Sequence, residues 1–149
     1  MNRFYSLRPL VAMLVATGLL TVTTRASAEE RPHKSGGTAR FVNPNDFVGS
    51  GEATHLGRYT EVGSAQFSPT ADPTVFRIDA WSVYTAANGD QLYATFTGQL
   101  NGLTGKITAT GTYVGGTGRF DDAGGSATLS GQMLSDGTIT VAVAGTINY

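Results

Sequence analysis

The side chains able to do acid–base or ligand chemistry are few: His33, Glu52, His55, Glu61, Arg77 and Asp79. A histidine that catalyses or holds a metal needs a second histidine, or a carboxylate placed to orient it. His55 has Glu52 three positions earlier, which strand alternation puts on the opposite face. That spacing favours a hydrogen-bonded structural histidine over a catalytic one. Arg77, Asp79 and Trp81 share one face of a strand-like stretch, and Phe76, Ile78 and Ala80 the other. If the more apolar set faces inward, Arg77 and Asp79 form an exposed pair. The reverse register would bury them beside Trp81 as an acid–base or carboxylate-binding pair. The first arrangement is expected, because charges are rarely buried without partners. No residue is assigned as catalytic at this point, and an acid buried in a cleft (Glu52, Glu61 or Asp79) would be the mark of an enzyme.

The remaining motifs argue for turns. Asn43-Pro44-Asn45-Asp46 is rich in oxygen donors but lacks the twelve-residue loop with a terminal Glu that calcium requires. The glycine-rich run from Gly115 to Gly125 is not a phosphate cradle: a strand rather than a helix follows it, and Asp121 and Asp122 would repel phosphate. With no cysteine there are no disulfides, thiolate nucleophiles or thiolate metal sites. Neither a cofactor nor a metal is expected.

The elements that must position these residues begin after an export signal. Arg3 and Arg8 precede an uncharged apolar run, Leu10 to Val22, and Ala26-Ser27-Ala28 supplies a small-x-small cleavage site. Residues 1–28 are therefore expected to be removed, leaving a secreted or periplasmic protein with no stable membrane insertion. Residues 29–37, EERPHKSGG, read as a flexible leader. Residues 38–149 are then a single domain. Beyond Ala28, seven basic residues stand against eleven acidic ones, a net charge of −4. That mildly acidic chain has no basic patch for nucleic acid.

Alternation with a period of two dominates that domain. Ile139, Val141, Val143, Gly145, Ile147 and Tyr149 fall on one face, with Thr138, Thr140, Ala142, Ala144, Thr146 and Asn148 on the other. Ala127 to Met133 repeats the pattern, and Ser135-Asp136-Gly137 turns one strand into the next. Similar runs occupy 106–113, 92–97, 76–83, 59–67, 49–56 and 38–42, separated by short turns such as Asn88-Gly89-Asp90. About eight strands joined by hairpins predict an all-β, antiparallel up-and-down β-barrel of calycin-like form, since closure hides both sheet edges. Such a barrel is either filled or holds one small ligand.

The segment Gly115-Gly116-Thr117-Gly118-Arg119-Phe120-Asp121-Asp122-Ala123-Gly124-Gly125 resembles the glycine-rich stretch of plant dirigent proteins and allene oxide cyclases. Asp122 departs from the glycine found there, and the match covers roughly a tenth of the mature chain. The resemblance implies an eight-stranded barrel with an apolar pocket open at one end. It leaves room for an oligomer and transfers no catalytic residue. Physically, Gly115, Gly116 and Gly118 would let the chain swing between two strands while Phe120 plugs one barrel end.

Tyr59, Phe76, Tyr84, Phe96, Tyr113 and His55 are the candidate pocket residues. The many small inward residues (Gly63, Ala65, Ala80, Ala94, Ala109, Gly111) argue for a hollow interior. The expected function is binding of a small apolar or aromatic ligand rather than catalysis. Two alternatives stand beside it: an isomerase or cyclase-like enzyme using the same pocket, and a small outer-membrane barrel or purely structural secreted domain.

Overall fold

The computed structural model describes residues 28–149, so the expected export signal lies outside the described residues apart from Ala28. Eight strands follow: β1 (Arg31–Phe41), β2 (Asp46–Ala53), β3 (Gly57–Pro69), β4 (Val75–Ala86), β5 (Gln91–Asn101), β6 (Lys106–Gly116), β7 (Gly124–Met133) and β8 (Thr138–Asn148). Each pairs antiparallel with its sequence neighbours, and β1 pairs with β8, closing an up-and-down barrel. The all-β, eight-stranded architecture is the one the alternation predicts.

The leader reading needs correction. Residues 31–37 are not a free leader but the first part of β1, paired with β8 from Arg31 opposite Ile147 to Arg40 opposite Thr138. The alternation is present there but chemically disguised, because its inward set is His33, Ser35 and Gly37 rather than aliphatic residues. Closing the barrel against an eleven-residue β8 demands a β1 of equal length. The second strand also starts earlier than the residue pattern suggests. Asn43 accepts hydrogen bonds from the backbone N–H groups of Asn45 (3.0 Å) and Asp46 (2.8 Å), a tight side-chain-stabilised turn that delivers Phe47 to the interior. His55 and Leu56 then fall in the β2–β3 turn instead of a strand.

Inside and outside differ sharply. The outward residues of β5, β6 and β7 are mostly hydroxyls that meet across strands: Thr97, Thr110 and Thr128 stand in one row, and the Thr95 and Thr112 hydroxyls are 3.1 Å apart. Arg77 and Asp79 lie on this outer surface as a bidentate pair at 2.8 and 3.0 Å, with Thr97 donating to Asp79 at 3.0 Å. Trp81 is also outside, 50% exposed. A lipid-embedded barrel alternates apolar-out and polar-in. This one has the inverse arrangement, so the outer-membrane alternative is not carried further.

The core divides in two along the barrel axis. One cluster, around Phe120, Leu92, Ile147, Tyr59, Tyr84, Phe96 and Tyr113, fills the floor. A smaller one, with Ala65, Ile78, Leu100, Ile107 and Ile139, lies toward the other end, which we call the mouth.

The glycine-rich segment builds the floor. Ala94 faces Tyr113 but Leu92 faces Gly116, so β6 carries one extra residue, and Gly115 sits there at φ +99°. A single 3₁₀ turn, Gly118–Phe120, follows, with Gly118 at φ +60°. It drops Phe120 into the barrel end, where the ring is fully buried and meets Tyr149 edge-on at 5.0 Å.

Candidate functional site

Above the floor is a cavity of about 90 Å³. Its wall is largely aliphatic and aromatic, including Phe96, Ile107, Leu129, Ile139, Val141 and Val143, and Phe41, Phe47 and Phe67 stand at the mouth. Phe41 meets the other two rings edge-on, at 5.9 Å and 5.7 Å. Small inward residues (Ala39, Ala65, Ala80 and Ala109) leave the space open, because alanine methyls from neighbouring strands cannot meet across the barrel.

One carboxyl group enters this wall. Glu61, on β3, is buried and accepts a 2.7 Å hydrogen bond from the Ser82 hydroxyl on β4. Burial raises its pKa above the ordinary carboxyl range, and the Ser82 and Tyr84 hydroxyls counter part of that rise. The barrel makes room for it on β2. A Cβ added at Gly49 would sit 3.0 Å from Glu61 Oε2 and 2.9 Å from the Thr38 carbonyl oxygen. At Gly51 it would sit 2.6 Å from the Tyr59 hydroxyl. The two glycines thus form a slot that receives the carboxyl and a phenol. The phenols respond in kind: burial first, then the Glu61 charge, pushes Tyr59 up to about 12 and Tyr84 well above the usual value.

Of the residues expected to line a pocket, Tyr59, Tyr84 and Phe96 do so. Phe76 lies one step nearer the mouth, against Gly102 in the β5–β6 turn. Tyr113 is buried below the cavity in the floor. His55 belongs to the floor as well: its Nε2 is 2.8 Å from the Pro32 carbonyl oxygen and its Nδ1 3.2 Å from the Tyr149 hydroxyl. A carbonyl only accepts, so Nε2–H donates. In the neutral ring Nδ1 then accepts from Tyr149. This histidine clamps the start of β1 to the end of the chain.

The residue-level reading missed His33, which it placed in the leader. It projects inward from β1, 3% exposed, and is stacked on His55 at 5.7 Å and edge-on to Tyr113 at 5.2 Å. Burial, reinforced by the nearby His55, holds its pKa down to about 4. The signal that could have found it is the alternation of His33, Ser35, Gly37, Ala39 and Phe41, continuous with the aliphatic end of the strand. Among the described residues no three His, Asp or Glu side chains converge as a metal site would need. No family model, curated protein or solved structure matches the chain. The site is therefore read from its own geometry.

Proposed function

We propose that the protein is an exported barrel that binds a small, predominantly apolar molecule in the cavity above the floor. The observation that carries this reading is an apolar wall interrupted by one buried, hydrogen-bonded carboxyl, Glu61, since ligand sites combine apolar lining with a few placed polar groups. The start of β1 at Arg31, just past the expected cleavage point at Ala28, supports export of the barrel as a unit. Kinship with the dirigent and allene oxide cyclase barrels is part of the same proposal, supported by the eight-stranded closure and by the glycine segment that seats Phe120.

Size limits the ligand. An engineered apolar cavity of roughly 150 Å³ takes up benzene, and the space here is smaller. Anything larger must displace the phenylalanines at the mouth. Native mass spectrometry of the protein in detergent-free buffer, with and without small apolar probes, tests the reading. A bound mass that disappears in Ala109→Phe, which fills the cavity, is the expected result. Equal behaviour of the two proteins overturns it. Trp81 is on the outside, so its fluorescence would not report occupancy.

Glu61 also favours a second reading, an isomerase. A buried carboxylate can take a proton from a carbon beside a ligand carbonyl and return it to another carbon, a balanced isomerisation that needs no co-reactant. Here Glu61→Gln would abolish turnover of a bound ketone while leaving its binding intact. Unchanged turnover would exclude the role.

A further inference from the structure

The floor contains two buried polar atoms that no group among the described residues satisfies: His33 Nδ1 and the Tyr113 hydroxyl. Most buried polar groups are hydrogen-bonded, and each exception calls for an explanation. Their side chains are 3% and 5% exposed and touch edge-on, with ring centroids 5.2 Å apart. A third such atom, Asn148 Oδ1, lies over Gly124. Tyr113 packs in one buried cluster with Tyr59, Tyr84 and Phe96, and those three line the cavity. On the adjacent strands Tyr113 stands opposite the small residues Ala94 and Gly125.

We propose that His33 Nδ1 and the Tyr113 hydroxyl form a polar subsite that receives the single neutral oxygen, hydroxyl or carbonyl, of an otherwise apolar ligand whose hydrocarbon part fills the cavity above. This rests on the binding reading given above and specifies the chemical class of the ligand. A ligand hydroxyl can accept from Tyr113 and donate to Nδ1. A carbonyl oxygen can accept from Tyr113 and from Nδ1–H in the other tautomer of His33. Both rings are uncharged at neutral pH, so a neutral partner satisfies them without burying a charge. A carboxylate is disfavoured on two counts. It would lose its hydration with no cation to compensate, and it would enter an interior that already holds Glu61.

Four probes of equal chain length separate the alternatives: hexane, 1-hexanol, 2-hexanone and hexanoate, titrated at pH 7 by nuclear magnetic resonance into the wild-type protein and into Tyr113→Phe. The alcohol and ketone are expected to bind at least about tenfold more tightly than hexanoate, the penalty of burying an uncompensated charge. Tyr113→Phe should weaken the alcohol and ketone by about fivefold, the worth of one hydrogen bond, and leave hexane unchanged. In the wild type, the His33 Nδ1 resonance should move with 1-hexanol and not with hexane, a readout that does not depend on any variant folding. Hexanoate binding most tightly, or Tyr113→Phe affecting all four probes alike, would overturn the subsite while leaving the binding reading in place. Failure of every probe to bind would overturn both.

Discussion

At the floor of the barrel, Phe120, Leu92 and Ile147 are completely buried, and the polar groups among them are histidine and tyrosine. At the mouth, the aromatic residues Phe41, Phe47 and Phe67 remain partly accessible, and Phe67 is 37% exposed. The strands contributing to both ends are the same eight, so the difference comes from what fills each layer. The floor is closed by a segment of chain folded back into it, the 3₁₀ turn that inserts Phe120. Among the described residues the mouth has only short turns. In the proposed binding, a ligand entering there meets the floor's polar groups with its leading end.

The sharpest way to break this comparison is to remove the plug. Phe120→Ala should cost about 3–5 kcal/mol, the range for truncating a fully buried phenylalanine, whereas Phe67→Ala at the mouth should cost less than about 1 kcal/mol. Urea denaturation midpoints check both, and equal losses would mean that the two ends are not built differently.

The pH dependence of stability divides the floor from the cavity next. His33 titrates at about 4 in the fold and near 6.5 when free, so the unfolded chain binds the extra proton between these values. Stability from this group is complete above pH 6.5 and falls as the pH drops toward 4, by up to about 3 kcal/mol. His33→Phe should flatten that acid limb. Glu61 acts in the opposite sense. Its pKa in the fold lies above the free value of 4.5, so its contribution is most favourable below pH 4.5 and is lost as the pH rises through the raised pKa. Glu61→Gln should therefore gain stability relative to the wild type on going from pH 4 to neutrality, as thermal melts at several pH values would show. A parallel pH profile for the two proteins would mean that the carboxyl is solvated rather than buried.

The smallest effect belongs to neither end. Arg77→Ala on the outer surface should leave the denaturation midpoint unchanged, because the exposed Arg77–Asp79 pair is screened by water. A clear loss would show that the outer face contributes to stability as the core does.

Much of this architecture was legible in the residues. The runs Ile139 to Tyr149 and Ala127 to Met133 alternate so regularly that face, pairing and turn could all be assigned. The outward placement of Arg77, Asp79 and Trp81 followed from charge alone, and the turn-and-plug role of Gly115, Gly116, Gly118 and Phe120 from the conformations only glycine adopts readily. Three of the six candidate pocket residues, Tyr59, Tyr84 and Phe96, line the cavity, while Phe76, Tyr113 and His55 share the inward parity or its neighbourhood but lie at other depths. Alternation gives the face of a side chain and says nothing of its height along the barrel.

What the amino-acid sequence determined by itself was the period of two, the turns and hence the closed barrel, because these depend on local backbone preference and on where apolar residues recur. Only the tertiary structure decided that residues 31–37 complete β1, that His33 is buried against Tyr113, and that Glu61 sits in a slot made by Gly49 and Gly51. Each of these depends on which residue of a partner strand stands opposite. For His33 and Tyr113, on β1 and β6, the pairing runs through the closed circle of strands rather than through neighbours in the chain. A polar residue facing inward looks, in isolation, like a residue facing water. It is closure of the barrel that takes the water away.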